Sequence, residues 1–225
     1  MMRFVLILLA FLAPAPAHAF CKMALGLGLD ISSSVNADEY RLQIEGLADA
    51  LDSAEVIDAI LRPEGAHIAA AAYEWSGYQQ QDTIVSWSIL DSPEAIHRFA
   101  NRLRAHRRPY WDFATALGKA VEYGGKLLET APACQRQVLD VSGDGVNNVG
   151  VDPEYFYRLG LFEGIVVNGL VIRGADPDPV LYYQTQVMYG PDAFVAIAQD
   201  FADYRTVMKS KLLREIDAEL ILGAK

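Results

Sequence analysis

A polar loop that directly follows a buried strand is the feature that most constrains the fold of this chain. The apolar run at residues 23–29 leads into Asp-Ile-Ser-Ser-Ser at residues 30–34, and Asn36 and Glu39 then form a helix capping box. The loop therefore lies at the carboxyl end of a strand, where open parallel sheets bind their ligands. Its carboxylate and hydroxyl oxygens are hard ligands of the kind that Mg²⁺ prefers.

The whole chain alternates between strand and helix patterns, which indicates a mostly parallel sheet with helices on both faces. Strands are predicted at residues 24–29, 67–75, 83–89, 138–141, 164–172 and 193–198. Helices are predicted at 37–60, 93–105, 113–128 and 203–222, with shorter ones opening at 152 and after 179. The short, alternating strand at 83–89 is typical of an antiparallel edge. At 225 residues, the chain fits a single doubly wound, Rossmann-like α/β domain with about six strands.

The first part of the chain has the pattern of a secretory signal peptide. Arg3 supplies a positive charge, residues 4–12 form an apolar core, and Ala17-His18-Ala19 matches a cleavage site. The apolar core is too short to span a bilayer comfortably, although an uncleaved anchor is the alternative. We therefore expect residues 1–19 to be removed and residues 20–225 to form one exported domain, in the periplasm if the source is a Gram-negative bacterium.

The two cysteines, Cys21 and Cys134, each stand just before a predicted strand. Export permits a disulfide, and neighbouring parallel strands begin side by side. We therefore predict a bridge between Cys21 and Cys134, with two free buried thiols as the alternative.

A second polar loop, Ser-Gly-Asp-Gly at residues 142–145, also follows a predicted strand. If the two strands are neighbours, their loops together offer four oxygen-bearing side chains, namely Asp30, Ser32, Ser34 and Asp144. Serine hydroxyls are neutral, so a cation held by them keeps positive charge and an open position for a carboxylate from a partner. The alternative is that Asp30 and the serines only cap the next helix and fill turn positions.

Three other charged features have weaker interpretations. Glu74 lies near the end of the predicted strand at 67–75, at the same edge of the sheet, and is a candidate for the rim of the site, with surface exposure as the alternative. The basic run at residues 104–109 is interpreted as a solvated loop rather than an anion site. Asp140 is a charged residue inside an apolar strand, and the sequence gives no account of it.

Catalysis has little support in the sequence. No G-x-S-x-G elbow surrounds Ser33 or Ser34, and His106 is the one histidine in a loop from which it could act as their base. The three histidines and two cysteines after the signal peptide lack the paired spacing of zinc ligands. A metal-dependent hydrolase acting on a phosphate or an ester is therefore only an alternative to a binding function.

The Asp-x-Ser-x-Ser loop at residues 30–34, followed by the strand-end Asp144, resembles the metal-ion-dependent adhesion site (MIDAS) of von Willebrand factor A-type domains. The order of elements resembles that fold too, including the antiparallel edge strand. More narrowly, the chain resembles an exported bacterial family of von Willebrand factor A-like proteins catalogued as a domain of unknown function. This narrower resemblance is carried by residues 140–148, 168–172, 182–183, 190–195 and 211–216.

The resemblance implies that two serines and a threonine bind the metal directly and that the aspartates often act through water. The threonine is expected shortly before a helix, ahead of a pair formed by a small residue and leucine, here Ala116-Leu117. Its expected position holds Trp111, which is followed by Asp112, while Thr115 falls inside the predicted helix at 113–128. The third ligand is therefore open between Asp112 and Thr115, with a degenerate site covered by Trp111 as the remaining alternative.

These features predict an exported, non-catalytic domain that binds proteins through a divalent cation. Mg²⁺ is the expected ion, with Mn²⁺ or Ca²⁺ as alternatives, and the expected partner is a protein that offers a carboxylate to it. The net charge of −10 argues against nucleic acid as a partner, and no stable membrane insertion is expected after signal cleavage. A hydrolase and a metal-free interaction scaffold are the two alternatives.

Overall fold

The computed structural model describes residues 19–222, so the predicted signal peptide lies outside the described residues except for Ala19. The strands are β1 (Phe20–Asp30), β2 (Ala66–Trp75), β3 (Gln81–Leu90), β4 (Arg136–Gly143), β5 (Ile165–Ile172) and β6 (Val195–Ala198). The helices are α1 (Ala37–Leu51), α2 (Ala54–Leu61), α3 (Pro93–Ala105), α4 (Leu117–Glu129), α5 (Pro153–Arg158), α6 (Val180–Tyr182) and α7 (Tyr204–Leu222). A π-helical turn, Tyr183–Val187, continues α6.

The six strands form one sheet in the order β3-β2-β1-β4-β5-β6, in which all neighbours are parallel except β3, which runs antiparallel to β2. This confirms the predicted mostly parallel sheet with one antiparallel edge. Strand β1 is central, and its register pairs Asp30 with Trp75 of β2 and Leu29 with Ser142 of β4. The carboxyl ends of β1, β2 and β4 therefore lie side by side, and the two polar loops start from the same edge.

The core lies on both faces of the sheet, because alternate residues of each buried strand point to opposite sides. On one face, Leu25, Leu27 and Leu29 pack against α1, α2, α3 and α7. On the other face, apolar residues of β4 and β5 pack against α4, α5 and the π-helical turn. Helices on both faces leave the loops at the strand ends as the exposed edge at which side chains from distant parts of the chain meet.

Two predicted helices have different bounds in the structure. The helix expected at 37–60 is two helices, because Ser53 takes an extended conformation and begins α2. The helix expected at 113–128 begins only at Leu117. The carbonyl of Phe113 accepts from the Ser33 amide at 2.8 Å, and the amide of Ala116 donates to the Ser76 carbonyl at 2.7 Å. Tertiary hydrogen bonds therefore replace the first helical turn.

Cys21 and Cys134 form a disulfide, as the sequence predicted, with their Cα atoms 4.6 Å apart. The bridge ties the start of β1 to the segment that enters β4, where the amide of Gln135 donates to the carbonyl of Cys21 at 3.0 Å. Within residues 19–222, no helix is long and apolar enough to cross a membrane.

Candidate metal site

The loop between β1 and α1 is held in a tight turn by its own side chains. The amide of Ser32 donates to Oδ1 of Asp30 at 2.7 Å, and the hydroxyl oxygens of Ser32 and Ser34 lie 3.1 Å apart. Asn36 and Glu39 form the predicted capping box, which fixes where α1 begins. Asp30 and Ser32 are fully buried, whereas Ser34 is exposed, so the loop presents its oxygens at the strand edge.

Asp144 closes the other side of this loop. Its carboxylate accepts a hydrogen bond from the Ser34 hydroxyl at 2.7 Å, across 110 residues of sequence. The oxygens of Ser32, Ser34 and Asp144 thus form a chain with spacings of 3.1 and 2.7 Å. Adjacent ligands of octahedral Mg²⁺, bound at about 2.1 Å, lie about 3.0 Å apart. The spacing of these oxygens fits one shared cation of that size.

The electrostatics of the two aspartates also favour a cation. Burial, followed by the charge of Asp144, raises the pKa of Asp30 to about 8. Burial likewise raises the pKa of Asp144, although the hydrogen bond from Ser34 opposes this shift. Both carboxylates are therefore destabilised in their charged forms, and a divalent cation between them would stabilise those forms.

Thr115 lies in the loop before α4, beside the loop that carries Asp144. Its backbone amide donates to the side-chain carbonyl of Asn148 at 2.9 Å, and the Asn148 amide returns a bond of 2.9 Å to the Thr115 carbonyl. A methyl group placed on Gly145 would lie 3.8 Å from the hydroxyl oxygen of Thr115. The predicted position of Thr115 within a helix is wrong, and its actual position brings a third hydroxyl to the same loop as Asp144.

Asp112 and Trp111 lie on the exposed side of the same segment. Trp111 is 48% exposed, and its ring stacks on the guanidinium of Arg108 with a separation of 4.3 Å. Asp112 is exposed to solvent. Phe113, 37% exposed, and the half-buried Tyr110 continue the aromatic surface, with ring centroids 5.6 Å apart. Trp111 therefore belongs to a larger exposed aromatic surface, and its place at the rim of a metal site stays a prediction.

Glu74 differs from its predicted place at an open rim. It is 1% exposed, accepts a 2.6 Å hydrogen bond from the Tyr40 hydroxyl, and lies 3.1 Å from Nε2 of His106. Burial raises its pKa, while the bonds from Tyr40 and His106 oppose that shift. Glu74 therefore supports the loops from inside. Sequence reasoning missed this because its partners come from α1 and from the segment after α3.

Arg108 is the residue of the site that the sequence analysis missed. It is 7% exposed, although the basic run that contains it was predicted to be a solvated loop. Its guanidinium donates to three carbonyls of the loop between β1 and α1, those of Ile31, Ser32 and Val35. It also donates to the carbonyls of Tyr110 and Trp111. One side chain therefore joins the loop that carries the serines to the segment that carries Thr115.

A groove of about 580 Å³ opens beside Ser34 and Asp144. Its other walls come from the first turn of α1 and from the loops that follow β5 and β6, and they include Glu39, Leu42, Arg173, Asp200 and Phe201. Among the described residues, no group of three His, Cys, Asp or Glu side chains is placed to hold a metal. Any cation at this edge therefore depends on the hydroxyls as well as on Asp30 and Asp144.

The fold is similar to several solved structures. Proximal thread matrix protein 1 from the mussel byssus aligns with a TM-score of 0.63 at 15% identity, covering 88% of this chain and 49% of that one. In another structure of that protein, zinc occupies the MIDAS motif; it aligns with a TM-score of 0.59 at 16% identity, covering 88% and 48%. The von Willebrand factor type A protein from Catenulispora acidiphila aligns with a TM-score of 0.57 at 14% identity, covering 87% of this chain and 43% of that one.

The PilB minor pilin from Streptococcus sanguinis also aligns, with a TM-score of 0.63 at 15% identity, covering 94% of this chain and 65% of that one. The chain spans about half the length of the mussel and Catenulispora proteins. No curated protein matches the sequence. The family described as "protein of unknown function (DUF1194)" matches residues 20–220, and the chain belongs to that family, with a von Willebrand factor A-like fold.

Proposed function

We propose that this domain binds Mg²⁺ at the edge formed by the β1–α1 and β4–α5 loops and uses the cation to bind another protein. The observation that carries this proposal is the chain of oxygens from Ser32 through Ser34 to Asp144, with spacings of 3.1 and 2.7 Å. The 3.1 Å spacing of the two hydroxyls suits adjacent ligands of one small cation, and the Asp144 carboxylate beside Ser34 is placed to hold one of its waters. The zinc-occupied MIDAS motif of the mussel protein, which has a similar fold, supports metal binding by this domain.

We assign the ligand roles from chemistry and position. Ser32, Ser34 and Thr115 supply neutral hydroxyls that bind the ion directly, while Asp30 and Asp144 hold its waters. Thr115 is preferred to Asp112 as the third ligand because it is buried beside Gly145, whereas Asp112 is exposed. With three neutral direct ligands, the bound ion keeps much of its positive charge and can accept a carboxylate from a partner. Mn²⁺ is expected to bind the same ligands.

The partner surface is proposed to include the aromatic side chains beside the site. Tyr78, Trp111 and Phe113 are 52%, 48% and 37% exposed, a concentration of large rings that is unusual for solvated loops. The Ser33 amide donates to the Phe113 carbonyl, so the segment that carries Trp111 and Phe113 adjoins the loop that carries the serines. Aromatic residues are enriched at the centres of protein interfaces. A partner segment would therefore place an acidic residue on the metal and apolar residues on these rings.

We propose that the domain acts by binding and not by catalysis. His106, the histidine that could act as a base for a catalytic serine, is instead hydrogen-bonded through Nε2 to the buried Glu74. The matrix and pilin proteins of similar fold are consistent with a binding role. We also propose that the protein is exported and acts in the periplasm, as the signal-peptide pattern predicts.

Titration calorimetry of the mature chain with Mg²⁺ and Mn²⁺ tests this function. We expect saturable binding to one site, abolished in Ser34→Ala and in Thr115→Val and unchanged in Asp112→Asn. Ser88→Ala is the matched control, because the Ser88 hydroxyl bonds only the Ser86 carbonyl on the distant edge strand. Absence of binding to the wild-type protein would leave a metal-free scaffold. Turnover of phosphate or ester substrates that is lost in Asp30→Ala would instead establish a hydrolase.

A further inference from the structure

Tyr183 occupies an unusual position relative to the metal site. It is the first residue of the π-helical turn Tyr183–Val187, and single π-helical turns are rare and frequently found at functional sites. The amide of Met188 donates to the Tyr183 carbonyl at 3.0 Å, which closes this wide turn. The side chain is 0% exposed and points into the sheet rather than toward solvent.

Two glycines allow the Tyr183 ring to reach the site. A methyl group on Gly169 of β5 would lie 2.7 Å from Cδ1 of the ring, and one on Gly143 of β4 would lie 2.6 Å from its hydroxyl oxygen. Both distances are shorter than carbon atoms tolerate, so any larger residue at either position would displace the ring. The two glycines therefore leave a gap on this face of the sheet. The Tyr183 ring fills the gap and extends toward Asp30.

The hydroxyl of Tyr183 and Oδ2 of Asp30 both lie next to Gly143, at the end of this gap. The same methyl position on Gly143 lies 2.6 Å from the tyrosine hydroxyl and 2.7 Å from Oδ2, with Trp75 forming a third wall at 3.1 Å. Both atoms are fully buried and neither has a hydrogen-bond partner among the described residues. Burial, with the charges of Asp30 and Asp144, raises the pKa of Tyr183 well above its usual value, so the phenol keeps its proton as a donor.

We propose that Tyr183 is a positioning residue of the metal site, whose hydroxyl donates to Oδ2 of Asp30 when the cation is bound. This rests on the proposed function. Oδ1 of Asp30 already accepts from the Ser32 amide, so a donor at Oδ2 fixes the plane of the carboxylate from both sides. It also stabilises the charged form of Asp30, the form that a metal requires. Groups that hold metal ligands in this way contribute substantially to metal affinity.

Tyr183→Phe removes only the hydroxyl and preserves the ring that fills the gap. We expect its Mg²⁺ affinity, measured by calorimetry, to fall about tenfold, the lower end of the range for groups that support a metal ligand. The matched control is Tyr73→Phe, because Tyr73 is also 0% exposed and its hydroxyl donates to the Ala120 carbonyl at 2.8 Å. The control should bind Mg²⁺ like the wild type. Equal Mg²⁺ affinity in Tyr183→Phe and wild type overturns the proposal.

A second measurement separates the contact from a merely structural role of Tyr183. Urea unfolding of the wild type and of Tyr183→Phe is followed without metal and in Mg²⁺ at a concentration that saturates the wild type. The loss in unfolding free energy caused by the substitution should be larger in Mg²⁺ than without it, and an equal loss in both conditions overturns the contact. A wild-type protein that binds no Mg²⁺ refutes the proposed function and the contact with it, whereas a wild type that binds Mg²⁺ with no change in Tyr183→Phe refutes the contact alone.

Discussion

Replacing Arg108 by methionine should disrupt the candidate metal site through the backbone that supports it. The guanidinium is 7% exposed and bonds five carbonyls, with distances of 2.7 Å to Ile31 and 3.0 Å to Ser32. Hydrogen bonds that involve a charged group contribute about 1.5–3 kcal/mol each. The cost of burying the guanidinium offsets part of that sum, so we expect a loss of about 3–5 kcal/mol in unfolding free energy.

Urea unfolding of Arg108→Met measures this loss, and calorimetry measures the Mg²⁺ affinity of the folded fraction. Both should fall, because the guanidinium joins the loop that carries the serines to the segment that carries Thr115. Arg108→Lys should retain little of the stability or the Mg²⁺ affinity, since a single ammonium group cannot reach five carbonyls in two segments. The control is Arg104→Met, which removes ion pairs to Asp49 and Asp52 at the surface and should cost about 1 kcal/mol without changing Mg²⁺ affinity. A loss in Arg108→Met no larger than in this control refutes the reasoning.

Three further predictions follow from the fold. Replacing Cys21 and Cys134 by serine should lower the unfolding free energy by about 2–5 kcal/mol in urea titrations, because the bridge closes a long loop; alkylation of two thiols without reductant would contradict the bridge. Because the pKa of Asp30 is raised to about 8, this residue stabilises the metal-free protein fully below pH 3.8. Its contribution to the unfolding free energy is lost as the pH rises through 8. Unfolding at pH 5 and pH 8 should show this decline, and Mg²⁺ should oppose it. Gly118→Ala should greatly reduce stability or soluble yield, because its methyl group would overlap the Val151 carbonyl.

The parts of the site that could be predicted from sequence are those fixed by local patterns. Asp30, Ser32 and Ser34 follow an apolar strand and precede a capping box, and each of these signals spans only a few residues. The neighbouring position of Asp144 follows from the parallel sheet, because loops after adjacent strands share one edge. The disulfide follows from the same geometry at the opposite edge.

The parts that could not be predicted depend on bonds between distant segments. Arg108 looked like one member of a solvated basic run, because three of the five carbonyls that it binds belong to a loop more than 70 residues earlier. Thr115 was placed in a helix by its apolar spacing, yet neighbouring loops take the hydrogen bonds of its segment. Tyr183 contributed to the family resemblance but gave no sign of a role at the site, because the gap that admits its ring is formed by glycines of two strands.

The charge that the sequence left unexplained in β4 is part of the same arrangement. Asp140 and Ser142 alternate along β4 and therefore point to one face, and Asp144 follows directly after the strand. On that face, α7 brings Lys211 to within 2.6 Å of Asp140 and the Tyr204 hydroxyl to within 3.2 Å of the Ser142 hydroxyl. Lys211 also pairs with Glu215 at 2.5 Å, and all three side chains are almost fully buried, so removing Lys211 would leave two buried carboxylates without this cation. The carboxyl-terminal half of this face of β4 is therefore polar: α7 contacts its positions 140 and 142, and Asp144, just after the strand, lies beside Ser34, where a cation is proposed to bind.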